Sequence, residues 1–191
     1  MNGRILLSIA TWCSMSLWMA AMVAAGVAAA GVFATLPDLN PTLPEFAALD
    51  PSLHGRLASG LITEPIFTAS DIAQVVLSCI VLLCIVLHFT GGAGRHRPFA
   101  RICWTTTSLL AMGCLWARLL LVMPRMNSEL QAYRSAARNG DTELATATYD
   151  AFNAMHPTAS TLMESSALLA MVAIGALSVM YALPRRKDPA S

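Results

Sequence analysis

The chain has 191 residues, 56% hydrophobic and 12% charged, with a net charge of +1. Soluble domains carry about 25% charged residues. The deficit excludes an ordinary water-surrounded globule, and near-neutrality without a basic stripe excludes a nucleic-acid partner.

Residues 5–36 are apolar throughout, with Arg4 before them and Pro37 after. About 20 residues at ~1.5 Å rise cross a bilayer core, so this first span is long enough to tilt or protrude. Ala20, Ala24 and Ala28 recur every fourth residue, a small-residue spacing that predicts close helix packing. A cleaved signal peptide is the competing reading, because Arg4 and the small residues near Ala30 fit one. The apolar run, however, exceeds the roughly 7–15 residues usual for such a segment.

Residues 37–70 contain Pro37, Pro41, Pro44, Pro51 and Pro65, which argues against one continuous helix. Within them, residues 52–62 are expected to form a short amphipathic helix. Leu53, Leu57 and Leu61 share one side of it, suited to the membrane interface. Residues 71–90 read as the second span. Asp71, Gln74 and Ser78 give its first half a polar stripe at helical spacing, and His88 closes the other end. Gly91, Gly92, Ala93 and Gly94 break the helix, and Arg95, His96, Arg97 and Arg101 make the connection basic.

Residues 102–123 form the third span, closed by Pro124-Arg125-Met126, and their only charge is Arg118. A guanidinium facing lipid costs at least ~2.5 kcal/mol, so Arg118 is expected to face other helices and to have a partner. Residues 127–138 and 141–155 read as helices separated by an Asn139-Gly140 turn, with Asp141 as N-cap. Pro157 starts or kinks the last helix. The fourth span, 160–183, ends at Pro184-Arg185-Arg186-Lys187.

The expected fold is therefore an all-α integral membrane protein. One domain, residues 1–191, contains a bundle of four transmembrane helices, spanning about 5–36, 71–90, 102–123 and 160–183. Short extra helices lie in the connections 37–70 and 124–159. Arg4, Arg95, Arg97, Arg101, Arg185, Arg186 and Lys187 flank one side; Arg56, Arg125, Arg134 and Arg138 flank the other. That asymmetry predicts a cytoplasmic (inner or plasma) membrane protein with both termini in the cytoplasm.

Several local patterns resemble the transmembrane-protein-205-like family, also called domain of unknown function 4149. They are the 26–36 stretch with Val32-Phe33 before Leu36-Pro37, the Leu57-Ala58-Ser59-Gly60 segment leading to Phe67, and Met123-Pro124-Arg125-Met126. The fourth, Phe152-Asn153-Ala154-Met155-His156 followed by Ser160, is similar to the family's Phe-x-x-Leu-His-x-x-Ser pattern. Met155 stands where Leu is usual, and Pro157 after His156 departs from the pattern. The resemblance implies a four-helix integral membrane protein and supplies no catalytic residues.

Three constellations are candidates for chemistry. The first is an intramembrane polar cluster of Asp71, Gln74, Arg118 and Glu164, with an Arg118–Glu164 ion pair closed on one side by Asp71 or Gln74. It serves as a clamp fixing helix register or as a proton or solute site, unless each charge simply snorkels to the interface. The second is a soft-ligand group of Cys84, His88, Cys103 and Met180, suited to haem or copper, although no HxxxH, CxxC or CxxCH spacing supports it. The third is an outer-face site of Tyr149, Phe152 and His156, whose spacing lays one face on the membrane surface, with His156 as cap, pH sensor or ligand.

All five cysteines (Cys13, Cys79, Cys84, Cys103 and Cys114) lie in apolar runs without a CxxC pair, as small apolar packers do. No Walker-type loop, GxGxxG, GxSxG or HExxH occurs, so the expectation leans away from an enzyme and includes no cofactor. The leading functional expectation is a non-enzymatic structural or accessory membrane module. Its partners are the lipid bilayer and a second copy or another membrane protein. The alternatives are a small-solute or proton pathway using Asp71, Arg118 and Glu164, and a haem- or metal-binding redox protein using His88.

Overall fold

The computed structural model describes residues 3–90 and 98–182. The basic connection carrying Arg95, His96 and Arg97, and the tail carrying Arg185, Arg186 and Lys187, lie outside the described residues.

Helix α1 (Gly3–Thr35) is a 33-residue helix that stops where Pro37 removes a backbone donor. A 3₁₀ turn at Pro37–Leu39 follows, ended by Asn40 in the left-handed region at φ 45°. Asn tolerates that conformation better than most residues. A second turn at Pro44–Phe46 leads into α2 (Pro51–Thr90), 40 residues long. Asp50 caps α2: the Ser52 N–H donates to its Oδ1 at 2.9 Å, and Pro51 occupies the first helical position, where no N–H is needed. The carboxyl of Asp50 is held below its ordinary pKa by these hydrogen bonds from Ser52. His54 then ties the linker down. The Leu43 N–H donates to its Nδ1 at 3.1 Å, so the ring hydrogen sits on Nε2 and points at the Phe46 carbonyl, 3.1 Å away. Gly55 lets the chain return across α2, since a Cβ there would lie 2.5 Å from Pro37 Cα.

As expected, residues 37–70 are not one continuous helix. Prolines confine the break to residues 36–50, and α2 passes through Pro65 without interruption. Pro65 is exposed, so its ring forfeits one internal hydrogen bond on the outer side of the helix, where other partners are available for the freed carbonyl. The separate interfacial helix at 52–62 is accordingly the first three turns of α2. Of its leucines, Leu57 is buried in a core, Leu61 packs against that core and Leu53 is exposed.

Helix α3 (Pro98–Ala117) runs through a π-helical turn at Arg118–Val122 into α4 (Met123–Asn139), making one 42-residue rod. Pro124 explains the turn. It has no N–H, and its ring crowds the carbonyl four residues back; the wider turn, with the Met123 N–H bonded to the Arg118 carbonyl, relieves that crowding. Gly140, at φ 74°, caps α4 with its N–H on the Ala136 and Ala137 carbonyls, the αL ending that glycine favours. Asp141 caps α5 (Thr142–Ala182) by accepting the Leu144 N–H at 3.0 Å. Pro157 lies inside α5 rather than at its start. The helices expected at 127–138 and 141–155 are thus continuous with the long rods, and short 3₁₀ helices lie in the first connection.

All four rods are long and apolar enough to cross a membrane. Forty residues reach about 60 Å, twice a bilayer core, so α2, α3–α4 and α5 form two storeys. In the lower storey Met15, Trp18, Val81, Trp104, Leu115 and Leu177 make a closed core, while Ile72, Leu121 and Leu168 point outwards. In the upper storey Phe46, Leu49, Leu57, Tyr133, Ala137 and Ala145 form a second core.

The helices pair as two antiparallel hairpins: α1 runs along α2, and α5 runs along α3 and α4. Backbone contact between α2 and α3 is sparse, while α1 also touches α5. Fully buried Ala111, Ala170 and Ala173 let α3 and α5 approach closely. The expected stripe at Ala20, Ala24 and Ala28 is not the packing face of α1. Ala20 and Ala24 are exposed, and the buried face carries Met15, Trp18, Met22 and Ala25. The bulky residues on that face bury far more apolar area than the alanines.

Candidate functional site: polar links between two helical hairpins

Backbone contact between α2 and the other hairpin is sparse, and long polar side chains add to the apolar contacts of the two cores that join them. The middle link is a clamp. Arg118, on the π-helical turn and 5% exposed, donates from Nη2 to Asp71 Oδ1 on α2. Gln74 sits one turn below, and its Nε2 donates to Ser70 Oγ at 3.1 Å and to Asp71 Oδ1 at 3.5 Å. Ser70 passes the chain to α1 by donating to the Ala21 carbonyl at 3.0 Å. One network therefore joins α1, α2 and the α3–α4 rod. The polar stripe of α2 is inward-facing, with Gln74 and Ser78 both 1% exposed.

The expected Arg118–Glu164 pair is corrected. Asp71 holds Arg118, whereas Glu164 is exposed and has no ion pair among the described residues. Helical phase gives the reason. Ser166, two residues on and about 200° around the helix, is the residue that faces α3, donating to the Ala111 carbonyl at 3.1 Å. That turns Glu164 outwards.

The lower link is a knot with one side chain from each rod around His88. Trp104 of α3 meets the His88 ring edge-on at 5.2 Å, and the Tyr181 hydroxyl of α5 lies 3.2 Å from Nε2. Thr11 of α1 lies 3.4 Å from Nε2. The Thr11 hydroxyl gives its proton to the Leu7 carbonyl at 2.7 Å, so its oxygen is the acceptor toward the histidine. The expected group of Cys84, His88, Cys103 and Met180 is only partly assembled. Cys84 is buried one turn from His88, but the neighbours of the ring are Trp104 and Tyr181, each one residue beyond Cys103 and Met180. One residue is about 100° of helix face, enough to replace a thiol and a thioether with two aromatics. Among the described residues no group of three or more His, Cys, Asp or Glu is placed to hold a metal ion.

The upper link has three parts. Arg134 Nη1 donates to Glu64 Oε2 at 2.7 Å, and Arg56 Nη1 donates to the Tyr149 hydroxyl oxygen at 3.2 Å. Arg138 lies 3.6 Å from Glu45 and stacks over Phe46 at 5.0 Å. Of the expected outer-face trio, Tyr149 is half-buried and packs on Tyr133 with ring centres 5.3 Å apart. Phe152 and His156 pair with each other at 5.9 Å, and His156 is exposed. The trio therefore divides between an inward contact and an outer pair.

Arg134, Glu64, Arg56, His54 and Ser70 hold segments together in this architecture, yet nothing in the sequence singles them out. Charges in a polar connection are ordinarily solvated, and only the second core beneath Phe46 makes Arg134 a buried residue. Comparison of the chain with family models, with curated proteins and with solved structures finds no match.

Proposed function

We propose that the chain is a non-enzymatic membrane module of structural or accessory kind, crossing the cytoplasmic membrane four times with both termini in the cytoplasm. The observation that carries this reading is the closed Arg118–Asp71–Gln74–Ser70 network. A solute or proton pathway through these residues needs a hydrated space around the guanidinium, and a buried guanidinium paired at hydrogen-bonding range with a largely buried carboxylate favours a clamp. The asymmetry of arginines and lysines supports the orientation. On this reading the lower storey sits in the lipid core, and the upper storey, with its second core, projects on the non-cytoplasmic side. The likeness to the transmembrane-protein-205-like family belongs to the same proposal and rests on the motifs quoted above.

The test uses Ser78→Cys in a variant whose five native cysteines are replaced by alanine. Position 78 lies on the polar stripe below the clamp. A small, charged thiol reagent is expected to leave it unmodified in native membranes and to modify it after denaturation. Rapid modification in the native state would instead establish a water-filled path and overturn the structural reading.

A further inference from the structure

A guanidinium presents two different edges, and Arg134 uses only one atom of its own. Its Nη1 is committed to Glu64 at 2.7 Å. Its Nε and Nη2 are buried and have no hydrogen-bond acceptor among the described residues. These two nitrogens share the side-on edge, the parallel-donor fork that matches two oxygens of one carboxylate or phosphate. Burying two charged donors without an acceptor is costly, and the residue as a whole is 5% exposed. The unmet donors themselves select the sign of the missing partner, since only an acceptor can meet them. Arg56 and Arg134 stand against Glu64 and against Asp150, which acts on the neighbouring Tyr149. The Tyr149 oxygen accepts from Arg56, and the same hydroxyl also meets the Asn153 side chain. Tyr133 packs on that ring at 5.3 Å and contributes a second hydroxyl-bearing ring. Arg56 is the exposed member of the group.

We propose that Arg134, with Arg56 and Tyr149 as outer contacts, forms a recognition site for a phosphate-class oxyanion. The side-on edge of Arg134 takes two oxygens of the anion. A tetrahedral anion keeps further oxygens for Arg56 and Tyr149, which a carboxylate lacks. The two sources of this chemistry are a phospholipid headgroup entering from the bilayer surface and a free phosphate or phosphate ester from solution. Glu64 is a competitor built into the site: it neutralises Arg134 when the anion is absent and opposes the anion when it is present.

The experiment is a thermal-unfolding titration of the full chain, purified in mild detergent and stripped of lipid. Inorganic phosphate and the short-chain lipid dihexanoyl-phosphatidylglycerol serve as separate probes. Wild-type protein is expected to gain stability in a saturable manner with at least one of them. Stabilisation by phosphate alone assigns a soluble ligand; stabilisation by the lipid, with phosphate ineffective, assigns a headgroup. Arg134→Gln is expected to abolish the response. Because that variant also breaks a buried ion pair, Glu64→Gln supplies the decisive control. Removing the competing carboxylate is expected to tighten apparent affinity by about tenfold, since one unit charge near the site is lost, even as the ligand-free protein loses stability. Arg56→Gln is expected to weaken affinity several-fold, while the ligand-free transition falls only by what the lost Tyr149 contact costs. Absence of saturable stabilisation of the wild type by either probe overturns the proposal. So does an equal response in Arg134→Gln, or weaker binding in Glu64→Gln.

Discussion

Replacing Asp71 with alanine leaves Arg118 buried in the lower half of the protein without its carboxylate. The side chains of the pair are 6% and 17% exposed, so neither is fully screened by solvent. At ~4 Å separation and an effective dielectric constant of about 20, the lost attraction is ~4 kcal/mol. That agrees with the ~3–5 kcal/mol typical of orphaning one member of a buried pair. Gln74 loses one of its two acceptors in the same substitution. The expected destabilisation is therefore about 3–5 kcal/mol, measured by reversible denaturant titration in mixed micelles. The apolar double substitution Asp71→Leu with Arg118→Met removes both charges and both desolvation costs. It is expected to return within ~1 kcal/mol of wild type or above it. Glu164→Gln, on the outward face of α5, is expected to change stability by less than ~0.5 kcal/mol. A cost below ~1 kcal/mol for Asp71→Ala, or a Glu164 effect of equal size, would refute the clamp.

Three further outcomes follow from local geometry. Gly55→Ala places a Cβ 2.5 Å from backbone Pro37 Cα, which cannot rotate aside, so a loss of about 1–3 kcal/mol is expected in the same titration. His88→Ala removes the centre of the four-helix knot. It is expected to destabilise by ~2–4 kcal/mol and to brighten or shift tryptophan emission, because Trp104 loses the ring it packs on edge-to-face. The Asp50 carboxyl has a folded pKa below its ordinary value of 3.8. Its contribution to stability is therefore fully present above that value and is lost as pH falls through the folded pKa. Asp50→Asn is expected to remove this acid-limb dependence, read from stability measured between pH 5 and 2.

The sequence carried the architecture because lipid solubility and helix length are properties of composition over twenty residues, and averaging suppresses local error. The capping residues Asp50 and Asp141 and the turn at Gly140 act through backbone hydrogen bonds within four residues; for Asp141 and Gly140 that made them legible. Prolines were misleading for a physical reason. Pro65 and Pro157 each delete one hydrogen bond on an exposed face, and a helix anchored by tertiary packing on both sides tolerates the loss. Pairing partners were legible only to the level of which charges must be buried. That Arg118 needs an acid followed from its depth; the selection of Asp71 over Glu164 depended on helix rotation, which Ser166 and the π-helical turn set. Cys103 and Met180 failed by a single residue for the same reason. The buried side of Arg134 was invisible, since it depends on a second core assembled from four separate segments.

On the proposed topology four rods cross a bilayer with the upper storey outside. Single cysteines at Asn139, at the top of α4, and at Phe99, at the base of α3, test it in the variant lacking native cysteines; both sites are exposed. A membrane-impermeant maleimide added to intact cells is expected to label position 139, and to label position 99 only after lysis. Labelling at 99 in intact cells, or at neither position until lysis, would contradict the account.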